Sequence, residues 1–355
     1  MNFWQDLPKP FFAVAPMADV TDAPFRRIIA KYSDWENQKN AVMWTEFVAA
    51  DGLMRATPEG KQKLMADLIY GEEERPIVAQ LFSSNEEYME QAARLAVELG
   101  FDGIDLNMGC PSNTIERQGC GAAMIKDPAK ARAVIRAAKR GAGDVPVSVK
   151  TRLGYNNDEL ETWIPEILAE EPAVLSIHGR TRKEMSKVPA KWDRITQVVA
   201  LRDKLGSKTL IIGNGDVLSM DDAKQKAKES GVDGIMIGRA LFGNPWFFHP
   251  TKRIPLTLTA MPTHGVNRED IITKDTADDS YEYVTLEERL KVMIEHTKLF
   301  EEILSFKNFS VMKKHYKAYV NGFHGAAQLR SQLMESSSSE EMEVIVHDFL
   351  ENRSA

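Results

Sequence analysis

Two cysteines in 355 residues, Cys110 and Cys120, are too few for a disulfide framework, and their spacing matches no zinc-ligand pattern. No stretch approaches the ~20 apolar residues that a membrane helix needs. The apolar "FFAVAPMA" near the start is too short for a secretory core and follows no basic segment. These absences lead to the expectation of a cytoplasmic, monomeric protein with free thiols, no metal and no membrane attachment. An excess of basic charge is also lacking, with 45 Lys and Arg against 52 Asp and Glu. A net charge of −7 weighs against nucleic acid as a partner unless cations gather on one face, because phosphate attraction is felt within a Debye length of ~8–10 Å. No GxGxxG follows the first apolar run, so an open dinucleotide-binding sheet loses its main support.

What is present is an alternation. Short apolar runs at 11–15, 41–47, 76–82, 103–108, 145–150, 173–178, 209–214 and 234–238 are separated by amphipathic stretches of helical period. Thr21-Asp22, Ser84 and Asp127-Pro128 read as helix starts, and Gly100, Gly141, Gly206 and Gly231 as helix ends. Eight near-continuous apolar strands, each followed by a helix, predict an α/β fold of the (β/α)8 TIM-barrel type over residues 1–250. Residues 251–284 read as a linker or insertion. From 285 to 355 the chain reads as a smaller all-α domain, opened by a Thr285 N-cap and carrying Leu286, Leu290, Met293, Ile294 and Leu299 on one face.

In such a barrel, chemistry sits at the C-terminal ends of the strands. That rule collects Met17, Glu46, Gln80, Asn107 with Cys110, Lys150 with Arg152, His178 with Arg180, Asn214-Gly215-Asp216, and Gly238-Arg239. Inward cations are costly without an electron-rich ligand. The glycine-bearing "GNGD" and "GRALFGNP" follow strands 7 and 8, where barrels commonly hold a phosphate, and "GRALF" reads as a helix start. A phosphate there, with Lys150 and Gln80 facing the mouth, suits flavin mononucleotide (FMN), whose reduced anion Lys150 would stabilise. In "DLNMGCPSN", Gly109 and Pro111 put Cys110 on a loop at a strand end, where a thiol can react. Cys120, in "RQGCGAAM", reads as structural.

The blocks "APMADVTDAPFRRI", "AQLF", "DLNMGCPSN", "VSVKTRLG", "IHGRTR", "IIGNGDV" and "IGRALFGNPWFF" occur in order, and "MKKHYKAYVNGFHGAAQLR" follows near the C-terminus. Together they resemble the flavin-dependent tRNA-dihydrouridine synthases. The resemblance implies an oxidoreductase that reduces tRNA uridines with FMN and NADPH. It implies Cys110 as the general acid, on a loop able to close over the base. Pro16, Met17, Gln80, Lys150, His178, Asn214, Gly215, Asp216, Gly238 and Arg239 would bind FMN, and Asn107, Arg152 and Arg180 would meet the substrate. "RQGCGAAM" departs from the family's glycine-rich pattern, and "KEMSKVPAKW" replaces a shorter loop after "HGRTR".

A cationic face also exists. Residues 306–330 carry Lys307, Lys313, Lys314, Lys317 and Arg330 with no acidic residue, a formal +5. Tyr316, Tyr319 and Phe323 are interleaved. Lys313, Lys314 and Lys317 are therefore expected to track tRNA phosphates. Two other readings stay open at this point: an FMN-dependent reductase of a free pyrimidine, like dihydroorotate dehydrogenase, and a non-catalytic RNA-binding factor.

Overall fold

The structure, a computed structural model, describes residues 2–255 and 281–354. Eight parallel strands follow one another around a closed barrel: β1 (Phe11–Val14), β2 (Ala41–Ala49), β3 (Ile77–Phe82), β4 (Gly103–Met108), β5 (Val147–Arg152), β6 (Val174–His178), β7 (Leu210–Asn214) and β8 (Gly234–Ile237). β8 pairs back onto β1, with Ile237 opposite Val14. Closure excludes the open sheet and matches the eight apolar runs, with β5 starting two residues later than its run.

Side chains alternate across a strand, so every second residue faces the barrel axis. Near the N-terminal ends the inward residues are apolar. Phe11, Ala13, Ala15, Val42, Trp44, Val78, Val174, Ile212 and Met236 form one cluster with Trp4, which is 1% exposed. Burying each large apolar side chain contributes roughly 1.5–3 kcal/mol. Two residues further along, the same faces turn polar: Val78 gives way to Gln80, Val174 to Ser176 and His178, Ile212 to Asn214. A polar mouth therefore sits on an apolar floor.

Between strands, Asp22 accepts the Phe25 N–H at 3.0 Å and Asp127 the Lys130 N–H at 3.1 Å, as their helix-start positions suggested. Two boundaries differ. The helix expected from Ser84 is capped by Asn85, which accepts the Tyr88 N–H at 3.0 Å, because the Ser84 hydroxyl donates to the Gln118 carbonyl at 2.7 Å. Gly141 is not a helix end. It lies inside the helix Pro128–Ala142, and a Cβ there would come within 2.1 Å of the Glu90 carbonyl oxygen. Glycine at 141 lets that helix approach its neighbour Glu86–Glu98 closely.

The chain packs as two units, Met1–Ala18 with Lys39–Gly238, and Asp19–Gln38 with Arg239–Ala355. This differs from a division at residue 250. The helix Ala23–Tyr32 is tied to the helix Leu286–Ile303: Tyr32 donates to Glu295 at 2.6 Å, Lys31 pairs with the same carboxylate at 2.7 Å, and Phe25 packs on His296 and His315. In the second unit, Thr285 is the expected N-cap, and it forms a capping box with Glu288. Leu286 and Leu299 are only half-buried, while Arg289 and His296 take fully buried places. Most of the 251–284 segment lies outside the described residues; its ends, Lys252–Arg253 and Glu282–Tyr283, pair as short parallel strands. Among the described residues no helix is long and apolar enough to cross a membrane.

Candidate active site

The polar mouth is organised around a carboxylate that the strand-end rule did not collect. Asp105 on β4 is fully buried and accepts from Ser148 Oγ and from Gln80 Nε2, each at 2.5 Å. Burial raises its carboxyl to about 6, opposed by those two hydrogen bonds and by Lys150. Gln80 Oε1 in turn accepts from Asn107 Nδ2 at 2.9 Å. Period-two alternation puts Asp105 beside Asn107 on the inward face, and that was the available signal.

Lys150, on β5, donates to Asn214 Oδ1 at 3.3 Å, and Asn214 Nδ2 donates to the Met236 carbonyl at 2.8 Å. Burial lowers the ammonium to about 8, and the Arg152 charge pushes the same way.

Cys110 is half-buried and sits against the apolar group of Phe82, Ile115 and Cys120. Its backbone is held on both sides. Its N–H donates to Asn107 Oδ1 at 2.9 Å, where the Gly109 N–H also donates at 3.1 Å, and its carbonyl accepts the Ala122 N–H at 2.9 Å. In this structure Asn107 and the following turn satisfy the polar groups of the loop that carries Cys110. Burial pushes the thiol above its ordinary value, while Arg152 and Lys150 pull it down. Cys120 is buried, as its structural reading requires.

The two arginines expected to meet substrate bond to neighbouring loops in this structure. Arg152 is 7% exposed. It donates through Nε to the Gly109 carbonyl at 2.7 Å and through Nη1 to the Thr181 and Met185 carbonyls at 3.2 Å. Burial lowers it to about 10. Arg180, 2% exposed, donates to the Val188 carbonyl at 2.6 Å and pairs with Asp216. Its Nη1 lies 3.0 Å from His178 Nε2. A guanidinium can only donate, so that nitrogen accepts and the ring proton is on Nδ1. Asp216 also accepts the Ala190 N–H at 2.7 Å, so its carboxylate anchors the 181–190 loop.

At the expected phosphate cradle, Gly215 has φ 134°, and a Cβ there would lie 2.6 Å from Ala190 Cβ. Only glycine fits this turn. At Gly238 the place of a missing Cβ is bounded by Met17 Sδ at 3.4 Å and Ala15 Cβ at 3.5 Å, beside half-buried Pro16. "GRALF" does not open a long helix: Arg239–Leu241 is a single 3-10 turn, ended by Gly243 and Asn244-Pro245, and it supplies no macrodipole. Arg239 itself is exposed and begins the second unit. The donor set nonetheless fits a planar, electron-rich, anionic group such as a flavin. Lys150 faces an amide rather than a carboxylate, Gln80, Asn214 and His178 ring the same mouth, and the buried Ser176 Oγ has no partner among the described residues.

In the second unit the cationic face is thinner than its sequence. Lys313 donates to the Met334 carbonyl at 2.5 Å, Lys314 pairs with Asp19 at 3.5 Å, and Arg330 donates to the Val320 carbonyl at 2.7 Å. Lys317 is exposed and Lys307 half-exposed. Tyr316 and Tyr319 are buried core residues, and Phe323 packs on Phe349, so these rings are not an open stacking platform.

The model of the dihydrouridine synthase family matches residues 13–354. The Bacillus subtilis (strain 168) protein named "Probable tRNA-dihydrouridine synthase 2" is 38% identical over 349 residues, covering 98% of this chain and 96% of that one. The Staphylococcus aureus (strain MRSA252) protein named "Probable tRNA-dihydrouridine synthase" is 36% identical over 354 residues, covering 98% and 95%. Among solved structures, a 2-naphthoyl-CoA reductase complex aligns with a TM-score of 0.50 at 12% identity, over 69% of this chain and 52% of that one, a likeness of fold alone.

Proposed function

The chain belongs to the dihydrouridine synthase family and is an oxidoreductase, and from that premise we propose that it reduces the 5,6 double bond of uridines in tRNA. FMN at the barrel mouth, NADPH as reductant and Cys110 as general acid complete the reading. Its cytoplasmic placement follows from the tRNA substrate. Gln80, Lys150, His178, Asn214, Gly215, Gly238, Pro16 and Met17 would hold the flavin. A flavin held by these residues would supply the hydride for carbon-6 of the uracil, with NADPH as the source of its electrons.

The observation that carries the reading is the state of Cys110. Its raised thiol keeps the proton at neutral pH, and the pinned backbone holds it at the mouth. The proton passes to carbon-5, where negative charge would otherwise build. The thiolate left behind is then stabilised by the charges of Lys150 and Arg152. Asn107, engaged with Gln80 and the Cys110 loop, fixes that geometry. Arg152, Arg180 and Asp216 support the loops around it. Lys317 and Lys307 offer the cations through which the second unit would meet phosphates.

The test uses purified protein, FMN, NADPH and unmodified tRNA. Cys110→Ala should keep flavin and NADPH oxidation while uridine reduction falls ~10²–10⁴-fold, the range for loss of one general acid. Wild-type protein that forms no dihydrouridine would refute the function. A fully active Cys110→Ala variant would move the acid elsewhere.

A further inference from the structure

Asp105 makes no hydrogen bond to the thiol, yet it begins a hydrogen-bond series that ends on the Cys110 backbone. An ionised carboxylate can only accept, so the Gln80 amide must turn its NH2 toward Asp105. That leaves Gln80 Oε1 facing Asn107, whose NH2 must donate to it. Asn107 Oδ1 is then left to accept the Gly109 and Cys110 N–H groups. Oxygen and nitrogen of an amide are nearly isosteric, so nothing in shape alone decides which way Gln80 or Asn107 points. Two ends decide it together: the Gly109 and Cys110 N–H groups require an oxygen of Asn107, and the Asp105 carboxylate requires the NH2 of Gln80, so the series is held in one order from both sides.

We propose that Asp105 is a positioning residue for Cys110: through Gln80 and Asn107 it tethers the amide that pins the thiol loop to a buried anchor. Ser148, donating to the other carboxylate oxygen, holds Asp105 in place. Arg152 holds the Gly109 carbonyl from the opposite side, so loss of the relay frees one side of the loop and leaves the other attached. A general acid misplaced by ~1 Å loses about 10²-fold in rate, so the relay bears on turnover more than on affinity for substrate. The catalytic half of this inference rests on the uridine-reduction reading above; the positional half does not.

The experiment follows iodoacetamide alkylation of the full-length protein, with the Cys110 and Cys120 peptides quantified separately by mass spectrometry. Asp105→Leu removes the acceptor, and Gln80→Glu sets two carboxylates against each other. Both should raise Cys110 alkylation several-fold with buried Cys120 unchanged. The double variant, Asp105→Asn with Gln80→Glu, restores the order of donors and acceptors. The new amide at position 105 and the native amide of Asn107 can then both donate to the new carboxylate at position 80. That variant should return Cys110 toward its original rate. In tRNA reduction, Asp105→Leu should lower kcat by about tenfold or more with KM for tRNA little changed. The proposal is overturned if Cys120 rises in parallel, which signals general loosening, or if the double variant alkylates no more slowly than Gln80→Glu. Should Asp105→Leu not fold, that pair decides alone. Absence of dihydrouridine in the wild type would sink the functional reading while the alkylation result still judges the relay.

Discussion

Acidification should destabilise the second unit through two histidines that cannot be charged where they lie. His296 and His315 are fully buried, their ring centroids are 4.7 Å apart, and Phe25 and Phe242 pack on the pair. His296 Nε2 and both His315 ring nitrogens have no hydrogen-bond partner among the described residues; Tyr319 Oη lies 3.5 Å from His296 Nδ1. Burial lowers His296 to about 3 and His315 well below its ordinary value, the latter pushed further by His296 and Lys314. In the unfolded chain both titrate near ~6.5. With folded pKa values below unfolded ones, protons bind the unfolded state, and stability falls as pH drops through ~6.5. Between pH 7.5 and 5.0 each histidine costs about 2 kcal/mol, so the pair costs about 4 kcal/mol. Asp105, in the other unit, works the opposite way: its raised carboxyl gains about 1 kcal/mol over the same interval. Urea unfolding of the full chain, followed by circular dichroism across this pH range, measures the net loss. His315→Phe keeps a ring but removes one site, and should halve the histidine part of the slope. A wild-type slope in that variant, or unfolding free energy flat to pH 5.0, would refute the reasoning.

Lys317→Glu should weaken tRNA binding and flatten its salt dependence by about 0.7–0.9 per lost phosphate contact, whereas Lys313→Met should leave the slope unchanged, because the Lys313 ammonium is committed to the Met334 carbonyl. Equal slopes for the two variants would count against the assignment. Gly215→Ala should cost about 2 kcal/mol or more, from φ 134° and the contact with Ala190, which thermal melting would register as a drop of about 5 °C. Arg152→Met strips the Thr181 and Met185 carbonyls of their donor; trypsin should then cut sooner at exposed Lys183 and Lys187, and unchanged cleavage there would refute the clamp.

The strands were legible because a residue buried on both faces must be apolar, and eight such runs leave few architectures. The fate of the polar side chains was less legible. A strand-end arginine reads the same whether it points at a ligand or at a carbonyl of the next loop. The path of the 181–190 loop decides between these, and that path depends on Asp216 and Ala190, far along the chain. Gly141 and Gly143 stand two residues apart, and only the closeness of Glu90 assigns one to helix packing and the other to the helix end. In the C-terminal helices, Met312, His315, Tyr316 and Tyr319 recur at three- and four-residue steps, which is a core stripe. The interleaved lysines drew attention to charge when the spacing already showed burial.

Asp105 is the instructive miss. A lone acid inside "GIDLNM" looks like a flaw in an apolar strand, and desolvation does work against it, as its raised carboxyl records. Its neighbours are two side-chain donors, Ser148 and Gln80, and neither is a cation in contact. Had stability alone governed the position, an apolar residue of similar size would remove the desolvation cost and free both donors to pair elsewhere. What an apolar residue cannot do is accept from Gln80 and so tether the amide series whose outer oxygen holds the Gly109 and Cys110 N–H groups. The carboxylate is therefore best understood by the anchor it supplies. The same logic runs through the mouth: Arg152 and Arg180 hold loop carbonyls where Asp105, through two amides, holds loop N–H groups. Between them they leave the thiol with a fixed backbone and Lys150 with an amide beside it, ready for an anion.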